Sequence, residues 1–243
     1  MAPKYLDEVR SAPENKVSNL AANNELMQLW YTLDPKLTVA QYHFELPIRK
    51  SLTQSLGPKL PDIVDEAKLA MQEFIGDVSS WKEFGSEDLC FNLVTRTANR
   101  LLFGPDLARN EEFQTLSILY TGVMFGGANM IRNYPNILKP LVMWWKTSIY
   151  KSQADACRLL LPIIKQRMAE SDRAVAEGRQ AEWHKSKPED AIQWVLDETP
   201  PEERVPRRLV MRMLHINIAA VHTSSSTMLE ILHYQSRVCF INV

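Results

Sequence analysis

Apolar residues recur along this chain at i, i+3, i+4 and i+7, the spacing that gives an α-helix one oily side. Leu60, Ile63, Val64, Ala67, Met71 and Phe74 follow it, with Pro61 placed where a first helical turn accepts a proline. Gly85-Ser86 opens a second helix, with Glu87 and Asp88 beside its positive end. Its buried stripe is Cys90, Leu93, Val94, Thr97 and Leu101, and Gly104-Pro105 stops it. A third helix, Glu111 to Val123, carries Phe113, Leu116, Tyr120 and Val123 and ends at Gly126-Gly127. Pro135 to Met168 predicts one long helix or two in tandem, kinked at Pro162. The charged residues 171–187 predict a solvated loop. Pro188 opens a short helix through Trp194 and Val195, Pro200-Pro201 breaks it, and Pro206 starts the last one. Leu209, Val210, Met213, Leu214, Asn217, Val221 and Ser224 share one side of that helix. No internal repeat and no run of alternating strands interrupts the pattern. The fold class is mainly α.

The last helix contains INIAAVHTSSST, Ile216 to Thr227, in which Thr223, Ser224, Ser225, Ser226 and Thr227 follow one another. Each costs about 0.5 kcal/mol of helix propensity against Ala, so the run costs about 2–3 kcal/mol. Such hydroxyls either bond back to the carbonyl four residues earlier and bend the helix, or meet a ligand. Ala219 and Ala220 just before them would let a flat group approach the backbone.

Composition narrows the function. With 28 basic against 29 acidic residues the net charge is -1, so nothing favours nucleic acid as a partner. Only 8 of 243 residues are Gly, roughly half the usual share, which argues against hairpin-rich β folds and glycine-cradled phosphate loops. Cys90, Cys157 and Cys239 stand far apart with no C-x-x-C pair, as expected in a reducing compartment. No secretory h-region and no apolar run of roughly 18 residues is present, so a soluble or at most peripheral polypeptide is expected.

His215, His222 and His233 are spaced by 7 and 11, on one helical face. At about 1.5 Å per residue, neighbours stand more than about 10 Å apart, too far for one metal ion to bind two of them. No metal site is expected there. No G-x-S-x-G supports a hydrolytic serine. Trp144 and Trp145, flanked by Lys139 and Lys146, suit either a membrane interface or a core helix with a lysine on its wet edge.

INIAAVHTSSST resembles the central helix of fungal cytochrome P-450 enzymes, the haem-thiolate monooxygenases, in the variant A-A-x-H-T-S/T-S. The wider family has A/G-G-x-D/E-T, an oxygen-groove motif. The match places Ala219 and Ala220 over the haem, His222 in the acid's place and Thr223 as the threonine that helps deliver protons. Thr95-Arg96, Asn99-Arg100, Gly104, Leu107 and Arg109-Asn110-Glu111-Glu112 match a further pattern of the fungal branch. PKYLDEVRSAPENKVSN resembles the family's helix leading into the substrate pocket, and KPEDAIQWVLDE the stretch before the central helix. Arg49 in the run Arg49-Lys50-Ser51-Leu52-Thr53 resembles the arginine that pairs with a haem propionate, with Glu45 and His43 upstream of it. The match runs from Pro3 to about His233.

The resemblance implies a single incomplete P-450 domain over 1–243, lacking the first sheet, the anchor, the E-x-x-R helix and the F-x-x-G-x-x-x-C-x-G haem loop. After Leu232 the text HYQSRVCFINV departs from the family's continuation, so 234–243 is expected to be a divergent tail from truncation or a changed reading frame. The family implies haem b, a small apolar substrate, an electron-donating reductase and the cytosolic side of the endoplasmic reticulum. Without an anchor the expected location of this chain is cytoplasmic or else unassigned. Without the axial cysteine the expectation is an oxidoreductase relative that is inactive alone. The rival is a non-enzymatic helical piece that binds a partner.

Overall fold

The computed structural model describes residues 5–13, 15–35, 47–77 and 79–241, and among these are twelve α-helices and no strand. In chain order they are α1 (Leu6–Ser11), α2 (Asn19–Met27), α3 (Leu29–Thr32), α4 (Thr53–Ile75), α5 (Ser86–Phe103) and α6 (Pro105–Ala108). There follow α7 (Glu111–Arg132), α8 (Lys139–Lys146), α9 (Ile149–Ala176), α10 (Gln180–Ser186), α11 (Ala191–Glu198) and α12 (Pro206–Ile241). The chain divides into two compact units, Met1–Ala40 with Val123–Ile149, and Gln41–Gly122 with Tyr150–Val243.

The larger unit is organised around α5, which packs against α4, α11 and α12. Its ends fall where the sequence placed them. Gly85 precedes it, Glu87 and Asp88 sit in its first turn, and Gly104 ends it at φ +83, a conformation that favours glycine. Cys90, Leu93, Leu102 and Phe103 are buried along it, and so are Thr95, Arg96 and Asn99. Three pairs fix α12 antiparallel to α5: Asn217 Nδ2 donates to Asn99 Oδ1 at 2.7 Å, His222 meets Phe91, and His233 Nε2 lies 3.4 Å from Ser86 Oγ.

The buried side of α4 differs from the expected stripe. Leu60, Val64 and Met71 are exposed, whereas Glu66 is 1 % exposed. Arg96 Nε meets Glu66 Oε1 at 2.6 Å and Arg109 Nη2 meets Oε2 at 2.8 Å, while Arg96 also reaches Glu73 at 2.8 Å. A buried carboxylate needs such partners, and pairing with α5 sets the rotation of α4 against its apolar pattern. Burial pushes the Glu66 carboxyl up, but the hydrogen bonds and charges of Arg109 and Arg96 outweigh it and hold it below its ordinary 4.5.

Two expectations are corrected, the end of the third helix and the loop at 171–187. α7 runs through Gly126-Gly127 to Arg132, because Met124, Ala128 and Ile131 carry the buried stripe beyond them. The Pro135–Met168 region is two helices, α8 and the start of α9, parted where Thr147 turns extended. Residues 171–187 are solvated but largely helical, the end of α9 and all of α10, joined at Gly178 with φ +68. The 234–241 stretch continues α12 as helix.

In the smaller unit, Lys139 Nζ donates to Gln28 Oε1 at 2.8 Å, and Arg132 Nη2 donates to the Leu26 carbonyl at 2.9 Å. Lys139 is buried, whereas Leu141, Trp144 and Trp145 of α8 face outward. The wet-edge lysine of the core-helix alternative is therefore inside, and the tryptophans are outside.

Candidate functional site

The site is built on α12, which stays α-helical through all five hydroxyl residues. From Leu209 to Ile218 every residue is buried, so this half of the helix is core. Beyond Val221 the helix becomes two-sided. Ser225 continues the buried stripe, one residue along from the Ser224 of the sequence pattern, because it lies one turn after Val221. Its hydroxyl is fully buried with no hydrogen-bond partner among the described residues. Thr223, Ser224, Ser226 and Thr227 are exposed.

Thr223 Oγ1 donates to the Ala219 carbonyl at 2.5 Å, and Thr227 Oγ1 to the Thr223 carbonyl at 2.8 Å. Both threonines thus bond back four residues, which offsets part of the propensity cost of the run. Their oxygens keep accepting capacity toward the outside. Thr223, Ser224, Thr227, Met228, Ile231 and Leu232 line an open groove of about 500 Å³, apolar at one end and hydroxyl-bearing at the other. Ala219 and Ala220 are half-buried beside it.

His222 points elsewhere. Its Nε2 lies 3.0 Å from the Ile118 carbonyl of α7, and its ring meets Phe91 of α5 edge-on, centroids 5.0 Å apart at 65°. His215 is buried and His233 exposed, so the three histidines of one face meet three environments. Among the described residues no cluster of His, Cys, Asp or Glu has the spacing to hold a metal ion.

Arg49 lies in a π-helical turn, Pro47–Leu52, that packs against α4 and α11. His43 and Glu45 lie outside the described residues. Cys90 is fully buried and Cys157 nearly so, and burial pushes both thiols up. Neither offers a thiolate to the groove.

The residues of the fungal-branch pattern fall together in a different role. Arg96, Arg100 and Arg109 converge on Glu66, and Asn99 Nδ2 donates to Ser117 Oγ at 3.3 Å. Asn110 Oδ1 caps α7 by accepting from the Phe113 amide at 2.8 Å, and Glu112 pairs with Arg158. Their common partner, Glu66, was missed because a charged residue scores as surface in a hydrophobic pattern. The excess of arginines in that motif was the available signal.

Comparison with known proteins supplies the family. The chain is 30% identical over 243 residues to cytochrome P450 monooxygenase 151 of Postia placenta, covering 95% of this chain and 46% of that protein. It is 29% identical over 228 residues to cytochrome P450 monooxygenase olcJ of Penicillium canescens, covering 91% and 41%. It is 30% identical over 228 residues to cytochrome P450 monooxygenase sirB of Leptosphaeria maculans, covering 90% and 41%. No family model matches the chain. No solved structure matches it. Near full-length similarity of this chain to several such enzymes, together with an all-helical fold, leads to one assignment: it belongs to the fungal cytochrome P450 monooxygenase family and spans somewhat under half the length of the curated relatives it matches.

Proposed function

We propose that this stretch of chain forms the oxygen-side wall of a haem-dependent monooxygenase, with the groove face of α12 as the wall. The observation that carries the reading is the two-sidedness of α12 after Val221, with the hydroxyls of Thr223, Ser224 and Thr227 lining the open side. Half-buried Ala219 and Ala220 leave room for a flat ring against the helix, so this face fits one side of haem b. The axial thiolate is not offered by Cys90 or Cys157, which are interior. Haem, when bound, supplies the iron at which dioxygen is split and one oxygen atom passed to a substrate carbon.

Thr223 is assigned the proton-handling place, through the Oγ1 that already donates to the Ala219 carbonyl and can accept a hydrogen bond from the groove side. His222 stands in the acid's place of the same motif, and Arg49 is assigned to a haem propionate. The apolar end of the groove, Met228, Ile231 and Leu232, suits a small apolar substrate, and a reductase is the electron donor. Leu141, Trp144 and Trp145 on α8 are exposed beside Lys146, and we assign them to contact with a membrane surface. No helix among the described residues is long and apolar enough to cross a membrane.

Titration of the 243-residue chain with haem, followed by reduction under carbon monoxide, tests this. Uptake without a thiolate-type band is expected, since neither interior cysteine reaches the groove, and so is no turnover by this polypeptide alone. A thiolate-type band would overturn the inactivity. A chain that ignores haem and remains monomeric favours the rival, a helical piece whose open face docks a protein partner.

A further inference from the structure

We propose that His222 is a positioning residue rather than a proton donor: clamped between the Phe91 ring and the Ile118 carbonyl as its Nε2–H tautomer, it fixes the rotation of α12 that turns Thr223 to the groove. The inference rests on the assignment of the groove face to the reacting side.

A backbone carbonyl has only lone pairs to offer, so a nitrogen 3.0 Å from the Ile118 oxygen must carry the proton. In the neutral ring the other nitrogen, Nδ1, is then bare. That single proton is committed to α7. At 3.6 residues per turn, His222 lies roughly opposite the middle of the groove lined by Thr223, Thr227 and Ile231. Phe91 closes on the imidazole from α5 with an edge-on contact, which selects one ring orientation. Two neighbouring helices therefore grip α12 at one residue, and the next residue along is Thr223. An aspartate or glutamate could not make this contact, since a carboxylate would meet the carbonyl oxygen with repulsion. The histidine suits the anchoring role that the acid of the wider family's motif cannot fill.

The test uses the chain labelled with ¹⁵N-histidine, and the His222 signals are identified by their loss in His222→Gln. Long-range proton–nitrogen correlation at neutral pH is expected to show Nε2 protonated and Nδ1 bare. A ring protonated at Nδ1, or one averaging both tautomers, overturns the proposal. His222→Ala is expected to speed amide exchange in 119–123 and 219–223 by about tenfold. His222→Gln, which keeps an N–H donor at similar reach, is expected to restore most of it. Equal exchange in the Ala and Gln variants also overturns the proposal. Neither readout uses haem, so failure of the groove assignment and failure of this clamp are separately visible.

Discussion

Glu66 is the residue on which the helical scaffold turns. It is a carboxylate almost wholly removed from water, held by Arg96 and Arg109 with Arg100 nearby. Replacing one partner of such a pair leaves uncompensated charge in the interior, so Glu66→Gln is expected to cost about 3–5 kcal/mol in urea unfolding at neutral pH. The pH dependence follows from its lowered pKa. A depressed carboxylate contributes stability that is present above the unfolded value of 4.5 and is lost as pH falls through the lower folded value. The wild-type and Gln proteins should therefore converge in stability as the solution is acidified below 4.5. An unchanged gap would show that the guanidinium groups do not hold this carboxyl.

At the scale of elements, some helix starts and stops were legible in the sequence because Gly and Pro act locally. Gly104, Pro105 and Pro206 punctuate where the pattern placed them. The side of each helix that faces the core was less legible. On α4 the ion pairs of Glu66 decide it, and on α7 a buried stripe carries the helix through two glycines that end helices elsewhere. In the candidate site, Ala219, Ala220 and Thr223 could be named from the motif, but the Ile118 and Phe91 partners of His222 could not. Those contacts join residues more than a hundred positions apart, and no local pattern encodes them. α8 is a testable case of facing. With Leu141, Trp144 and Trp145 outward, Trp144→Ser with Trp145→Ser should weaken binding to phospholipid vesicles by about tenfold or more, read by co-sedimentation. Unchanged co-sedimentation would place the membrane contact elsewhere.

For the molecule as a whole, α12 serves two purposes along one rod. Its first half is core, sealed by Asn217 against Asn99, and its second half presents hydroxyls and small residues to open space. The decisive measurement places that second half in a complete enzyme. Residues 206–236 are exchanged for the matching helix of the Postia placenta relative, and haem content is read by absorbance. The account predicts that the exchanged protein keeps its haem, that Ala220→Trp in the same protein loses it while remaining folded, and that Ser226→Trp, exposed but outside the groove lining, retains it. Full haem content with Ala220→Trp would contradict the assignment of this face.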